Sequence, residues 1–228
     1  MNKRWRYILY AGILVVAGWL VYTYREDLGI VGPHGIGASS PTVPDASSAA
    51  SAHPPRINWQ EVDRPKEGFK LEMPSDVKEI QVPAYNESGG TEPVSILYAN
   101  PDGGTAFSVA WADEPPVVRD NNRQPDRILD MARDGAMART QTQLVNESRN
   151  NLGGNPARDF VARNSGGGVL DSRLIVAGNR LYMLSAVFPS MSARREQDVI
   201  RFYNSFTQMK GAGIPQSLPA GPPPATRE

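Results

Sequence analysis

The sequence predicts an α+β fold, in which an antiparallel β-sheet is packed between helices, and one N-terminal transmembrane helix precedes this domain. Three observations lead to this prediction. An uncharged run of 18 residues follows a basic N-terminus. Eight short apolar segments after residue 58, most of them alternating with polar residues, are typical of strands and are separated by turn residues. Two longer segments repeat apolar residues at helical spacing.

The uncharged run covers residues 7–24 and spans about 27 Å as a helix, which matches the hydrocarbon core of a bilayer. Lys3, Arg4 and Arg6 precede it, whereas the basic residue beyond it, Arg25, is offset by two acidic residues. This asymmetry predicts a cytoplasmic N-terminus. We interpret residues 1–28 as a cytoplasmic stub and a single-pass anchor in a bacterial inner membrane, which places the domain in the periplasm or outside the cell.

The competing interpretation of this segment is a cleaved signal peptide, which has a similar basic start and apolar centre. However, the end of the run, Leu20-Val21-Tyr22-Thr23-Tyr24, offers no pair of small residues for cleavage. The chain also has no cysteine to which a lipid could be attached. An uncleaved signal-anchor is therefore favoured.

Two further segments have the composition of unfolded chain. Residues 29–57 are rich in Gly, Ser, Ala and Pro, and we predict a flexible linker there. Residues 211–228 are predicted to form a disordered, proline-rich tail. The spacing from Pro219 to Pro222 would also suit a polyproline II ligand, although a solvated tail is the favoured interpretation. The folded domain then occupies residues 58–210.

Four strands are predicted in the first half of this domain. In the first strand, apolar Phe69, Leu71 and Met73 alternate with charged residues, as in a half-buried strand. The predicted strands cover residues 69–73, 77–82, 94–98 and 107–111. A helix follows over residues 126–140, because an apolar stripe begins at Ile128 and Pro125 suits the first helical turn.

Four more strands and a closing helix are predicted in the second half. The strands cover residues 144–148, 158–163, 170–176 and 180–188. The last of them is apolar on both faces, so we expect it in the centre of the sheet, covered on both sides. The closing helix begins at Ser190 or Ser192, either of which suits a helix N-cap. The predicted order is therefore β-β-β-β-α-β-β-β-β-α.

Three segments show a resemblance to a known family: Glu67-Gly68-Phe69-Lys70-Leu71-Glu72-Met73-Pro74, Asn179-Arg180-Leu181-Tyr182-Met183-Leu184 and Asp198-Val199-Ile200-Arg201-Phe202-Tyr203-Asn204-Ser205-Phe206. Together with the predicted order of elements, they resemble the PsbP-like fold, which is shared by extrinsic photosystem proteins and DcrB-type bacterial envelope proteins. The resemblance covers residues 59–209 and involves core and turn positions. It implies a non-enzymatic accessory or assembly factor. This chain differs from those proteins in having a spanning anchor where they have a lipidated cysteine.

Composition excludes several kinds of chemistry in the domain. The chain has no cysteine, and its two histidines, His34 and His53, both lie in the predicted linker. Catalysis that needs a cysteine nucleophile or a histidine base is therefore excluded, and so are metal sites built on imidazole or thiolate. The chain also has 24 basic and 24 acidic residues, which argues against nucleic-acid binding.

The remaining motifs have structural explanations. Asp130 and Asp134 lie one helical turn apart and would suit a carboxylate pair, but solvated helix charge explains them better. Glycine pairs such as Gly103-Gly104 lack the Gly-Lys-Ser/Thr sequence of a phosphate loop, and hairpin turns account for them. Trp111 is assigned to the core, whereas Trp59 is predicted to pack against either the domain or a partner. We therefore predict no catalytic, cofactor-binding or metal-binding residues and no cofactor.

These observations favour a non-catalytic domain that acts in the interaction or assembly of envelope complexes. Its predicted partners are the lipid bilayer, through the N-terminal helix, and an envelope protein. Two alternatives remain open, namely binding of a small apolar or lipid-like ligand and a carboxylate- or serine-based hydrolase. A dry, filled core would argue against ligand binding, and a cleft without clustered ionisable groups would argue against the hydrolase.

Overall fold

The structure is a computed structural model, and it describes residues 56–85, 91–113, 125–178 and 180–209. The predicted anchor and tail, and nearly all of the predicted linker, lie outside these residues. Within them, no helix is long and apolar enough to cross a membrane. The described residues form antiparallel β-sheets with two helices, so the predicted α+β class is confirmed.

The described residues contain two helices and ten strands. Helix α1 (Pro125–Thr140) follows the fifth strand and helix α2 (Glu196–Ser205) follows the ninth. The strands are β1 (Trp59–Arg64), β2 (Phe69–Pro74), β3 (Lys78–Tyr85), β4 (Thr91–Ala99), β5 (Ala106–Asp113), β6 (Thr142–Leu152), β7 (Asn155–Asn164), β8 (Val169–Ala177), β9 (Arg180–Phe188) and β10 (Thr207–Gln208).

Seven strands form the large sheet, in the order β3-β4-β5-β9-β8-β7-β6, and every neighbouring pair is antiparallel. Strand β9 lies between β5 and β8, and all nine of its residues are buried. The prediction that this strand is central and covered on both faces is therefore confirmed. Its continuous apolar sequence fits that position, because a strand with two covered faces has no need of polar alternation.

Helix α1 covers one face of the large sheet over β6, β7 and β8. The predicted apolar stripe is confirmed, since Ile128, Leu129, Ala132 and Ala136 are each at most 2% exposed. They pack in one cluster with Phe160, which faces them from β7.

The opposite face of the large sheet is covered by α2 and a small second sheet. That sheet has the order β1-β2-β10, and its central strand contributes Phe69, Leu71 and Met73 to the core. Helix α2 contributes Val199, Phe202 and Tyr203 to the same cluster. Aromatic rings interlock there; for example, the ring centroids of Phe107 and Phe202 lie 5.3 Å apart.

The structure differs from the prediction in three places. Strands β1 and β10 were not predicted, and they pair with β2 to make a second sheet where one sheet was expected. The closing helix begins at Glu196 rather than near Ser190 or Ser192. Ser190 instead caps a short 3-10 turn, Met191–Ala193, by accepting a hydrogen bond from the amide of Ala193. Local N-cap chemistry was thus identified correctly but assigned to the wrong helix.

Candidate functional site

A groove of about 200 Å³ lies between α2 and the strands β6, β7 and β8, and we call it the α2–β6 groove. Its helical wall is formed by Glu196, Ile200 and Asn204, which are spaced four residues apart and so share one stripe of α2. Its strand wall is formed by Asn146 and Ser148, which are two residues apart and share one face of β6. All five side chains are exposed.

Two ion pairs make up the floor of the groove, and the first joins Asp159 to Arg173. These residues lie opposite each other on β7 and β8, so the sheet register brings them together. The guanidinium donates one hydrogen bond to each carboxylate oxygen, both at 2.7 Å. It also lies over the ring of Tyr203, 4.7 Å from the centroid. Burial lowers the pKa of Arg173, but the bonds and charge of Asp159 outweigh this effect and raise it.

The second ion pair joins Asp171 on β8 to Arg194, which lies in the segment before α2. The Asp171 side chain is 5% exposed, and Arg194 contacts one of its oxygens at 2.6 and 2.8 Å. Tyr203 donates its hydroxyl proton to the other oxygen at 3.0 Å. Burial raises the pKa of Asp171, although the bonds from Arg194 and Tyr203 act in the opposite direction. Burial and the nearby carboxylate raise the pKa of the Tyr203 hydroxyl well above 10.0.

The groove carries an excess of negative charge. Arg194 also forms an ion pair with Glu196, so a single guanidinium serves two carboxylates. The groove lining as a whole contains three carboxylates and two guanidinium groups. Asp159 and Arg173 balance each other, so the excess negative charge lies at Asp171 and Glu196. This arrangement would attract a cationic or hydrogen-bonding group and repel a free anion.

The charged groups of the groove form ion pairs with one another. The hydrolase alternative requires clustered ionisable groups in a cleft, and the groove does contain them. However, Asp159 and Asp171 each bond an arginine, and Asp171 is almost inaccessible to solvent. The groove lining also holds no histidine that could activate Ser148 as a nucleophile. Among the described residues, no group of three or more His, Asp or Glu side chains could hold a metal ion.

A separate charged cluster lies on the opposite face of the sheet, beneath α1. Arg158 is fully buried and contacts Asp130, and its other contacts are Asp126 at 3.2 Å and Glu147 at 2.9 Å. The contact from Arg158 Nε to Glu147 lacks the alignment of a hydrogen bond. Asp130, predicted to be solvated helix charge, therefore pairs with a buried cation, whereas Asp134 is 60% exposed as expected. Both carboxylates thus form ion pairs with arginine side chains.

The two tryptophans singled out in the sequence both pack within the domain. Trp111 is 8% exposed and belongs to the core, as predicted. Trp59 meets Phe107 edge-on at 5.5 Å, and the Arg201 guanidinium lies 5.0 Å above its ring. Of the two alternatives left open for Trp59, packing against the domain is the one that the structure supports. Gly103 and Gly104 occupy a turn between β4 and β5, as predicted.

Comparison with known proteins identifies a likeness in fold. No family model matches the sequence, and no curated protein is significantly similar to it. Among solved structures, the chain is similar to cyanobacterial PsbP (CyanoP) from Synechocystis sp. PCC 6803, with 12% sequence identity and a TM-score of 0.45. That match covers 72% of this chain and 98% of the PsbP chain. The resemblance to PsbP is one of fold alone.

A second solved structure, a protein of unknown function from Pseudomonas aeruginosa, matches with 14% identity and a TM-score of 0.31. The match covers 59% of this chain and 85% of that protein. Both likenesses concern the fold alone.

The groove residues were not predicted, although the sequence contains a signal for them. Asp171 and Arg173 interrupt a strand whose other residues are almost all apolar. A charged side chain on a buried strand requires a partner of opposite charge. Asp171 and Arg173 therefore indicate that other charged residues lie close to β8. The partner Asp159 lies on the neighbouring strand β7 and Arg194 lies beyond β9, so the sheet register and the position of α2 bring them together.

Proposed function

We propose that this protein is a non-catalytic interaction module that acts in the assembly of envelope complexes. In this proposal, residues 1–28 anchor it in a bacterial inner membrane, and the linker of residues 29–57 holds the domain outside the cytoplasm. The α2–β6 groove receives a polar, extended segment of an envelope protein. The observation that carries the proposal is the floor of the groove, where two ion pairs are fixed before any partner arrives.

Fixed ion pairs favour recognition because the receiving groups are already oriented. Arg173 is held by two bonds to Asp159 and by stacking on Tyr203, so little side-chain entropy remains to be lost on binding. The walls offer adaptable hydrogen-bonding groups at Asn146, Ser148 and Asn204. The excess carboxylate at Glu196 favours a segment that bears a basic side chain.

The same features argue against the two alternatives. A general acid or base must reach its substrate, but Asp171, the groove carboxylate with the raised pKa, is 5% exposed and held by Arg194. An apolar ligand needs a largely apolar cavity, whereas this groove has a charged floor and mostly polar walls. Protein recognition through polar contacts fits the lining better than either alternative.

Capture of partners by matched groove variants tests the proposal. The full-length protein is solubilised from native membranes as wild type, Ile200→Arg and Met191→Arg. Ile200 lies in the groove wall and is 48% exposed, whereas Met191 lies outside the groove lining and is 46% exposed. Both variants add the same charge at a similarly exposed apolar position.

We expect Ile200→Arg to reduce recovery of the captured envelope protein at least tenfold, because the new side chain blocks the groove and repels a basic segment. Recovery by Met191→Arg should stay within twofold of wild type. Equal recovery by all three proteins would contradict a role for the groove. Loss in both variants would show a general effect of charge instead.

A further inference from the structure

Within the part of the chain that the structure describes, strand β6 presents a long open edge. It is the last strand of the seven-stranded sheet, and among the described strands only β7 pairs with it. Its 11 residues are all exposed or half-buried. The sequence of β6 contains no lysine and no proline, the residues that most often protect such edges from pairing. The pairing of β6 with β7 shifts in register between Leu144 and Asn146, and it is regular from residue 146 onward.

The charges on this edge are self-complementary. Glu147 and Arg149 lie on either side of Ser148, and because side chains alternate along a strand, both point to the α1 face of the sheet. In an antiparallel pair of β6 strands with the twofold axis at Ser148, Glu147 of each copy lies opposite Arg149 of the other. Opposite charges at directly facing positions stabilise a strand pair. The same alignment places Asn146 opposite Asn150, where side-chain amides can bond each other.

Glu147 and Arg149 are both positioned so that they could form an ion pair across this edge. Glu147 is held in place by Arg133, whose terminal nitrogen lies 2.7 Å from both carboxylate oxygens. Arg149 is 72% exposed, and its ion-pair contact with Asp126 is long, at 3.9 Å. The Glu147 carboxylate of one copy could therefore accept a hydrogen bond from Arg149 of the other with little rearrangement.

We propose that two copies of this chain associate through residues 146–150 of β6, paired antiparallel about a twofold axis at Ser148. The pairing joins two seven-stranded sheets into one continuous sheet of fourteen strands. It also extends the strand wall of each α2–β6 groove, because Asn150 of the second copy lies beside Asn146 on the groove face. The proposal rests on the edge and its charges and does not depend on the function proposed above.

Disulfide cross-linking tests this pairing directly, because the chain contains no cysteine of its own. The full-length protein carries one cysteine at a time, as Ser148→Cys, Asn146→Cys, Asn150→Cys or the control Gln197→Cys, and is oxidised in native membranes. Residues directly opposite in an antiparallel pair have Cα atoms about 4.5–5.5 Å apart, within reach of a disulfide. Residues 146 of the two copies would lie about 13 Å apart along the strands, beyond that reach.

We expect Ser148→Cys to form a covalent dimer, and Asn146→Cys or Asn150→Cys alone to form at least tenfold less. Co-expression of Asn146→Cys with Asn150→Cys should restore the dimer, which fixes the register. Adding Arg149→Glu to Ser148→Cys should reduce cross-linking at least fivefold, because two carboxylates would then face each other.

Cross-linking of Ser148→Cys no greater than that of the exposed control Gln197→Cys would overturn the proposal. A disulfide between Ser148→Cys and a different protein, with no covalent homodimer, would overturn it too, because the edge would then serve another partner. Equal cross-linking at residues 146, 148 and 150 would indicate chance collision rather than a defined register, and would also overturn it.

Discussion

The Tyr203 hydroxyl and the Asp171 carboxylate form a buried hydrogen bond of 3.0 Å across the floor of the α2–β6 groove. Tyr203 belongs to α2 and Asp171 to the sheet, so this bond ties the helical wall of the groove to its floor. The tyrosine ring also supports Arg173 from one side. The shape of the groove therefore depends on a few polar contacts made by Tyr203 as well as on apolar packing.

Replacing Tyr203 by phenylalanine should destabilise the domain by about 1.5–3 kcal/mol, because a buried carboxylate loses one of its donors while the ring stays in place. Tyr182→Phe is the matched control, since its hydroxyl bonds the neutral carbonyl of Glu67 at 2.8 Å. That variant should lose about 1 kcal/mol. Urea unfolding followed by circular dichroism measures both. A cost for Tyr203→Phe that does not exceed the control would show that the bond to Asp171 contributes little.

The raised pKa of Asp171 predicts a specific dependence of stability on pH. The folded protein binds the proton of this carboxyl more tightly than the unfolded chain, whose pKa is near 3.8. As the pH rises from 3.8 through the folded pKa, the folded state therefore holds more of this proton than the unfolded state, and the free energy of unfolding falls.

Wild type should accordingly lose stability relative to Asp171→Asn as the pH rises through this window. Urea midpoints of both proteins between pH 3 and pH 7 measure the difference, and titrating groups that do not interact with Asp171 cancel in the comparison. A difference that grows in favour of wild type with rising pH would mean that Arg194 and Tyr203 outweigh burial at this site.

Removing the acids around Arg158 should cost more than removing Arg158 itself. The double variant Asp130→Asn, Glu147→Gln leaves a fully buried guanidinium with few partners, at a cost of about 3 kcal/mol. Arg158→Met removes the buried charge and leaves carboxylates that are 41% and 22% exposed, which water can solvate. Its cost should therefore be smaller, below about 2 kcal/mol. Thermal unfolding of the two variants decides the order, and the reverse order would contradict this account of the cluster.

The proposed anchor predicts how the protein fractionates. Full-length protein should remain in the membrane pellet after an alkaline carbonate wash, because an apolar helix of 18 residues inserts rather than adheres. A variant lacking residues 1–28 should appear in the soluble fraction. Mass spectrometry of the membrane form should find the intact N-terminal segment. A soluble mature form that lacks residues 1–24 would establish the signal-peptide alternative instead.

Much of the fold could be predicted because alternation and apolar runs report burial directly. Strand β9 was placed in the centre of the sheet from its two apolar faces, and α1 was placed from its apolar stripe. Strand β1 was missed because its inward residues, Trp59 and Val62, are half-buried and do not alternate regularly. Strand β10 has two residues, so its pairing with β2 depends on where α2 ends rather than on its own sequence.

The division into two sheets could not be predicted, because alternation shows that a strand is half-buried without showing which strand lies beside it. The residues of the α2–β6 groove could not be predicted for a related reason. Asp159, Asp171 and Arg194 are separated along the chain, and the register of β7 and β8 together with the position of α2 brings them close. The charged pair within β8 was the one local sign that a polar site had to exist.

Photo-cross-linking in living cells distinguishes partner binding in the α2–β6 groove from binding elsewhere on the domain. A photoreactive amino acid replaces Ile200 in the groove wall and, as the matched control, Met191 outside it. We expect light to produce a discrete adduct with an envelope protein from position 200 and little or none from position 191. Adducts of equal yield from both positions, or none from position 200, would contradict the assignment of the groove as the partner-binding site.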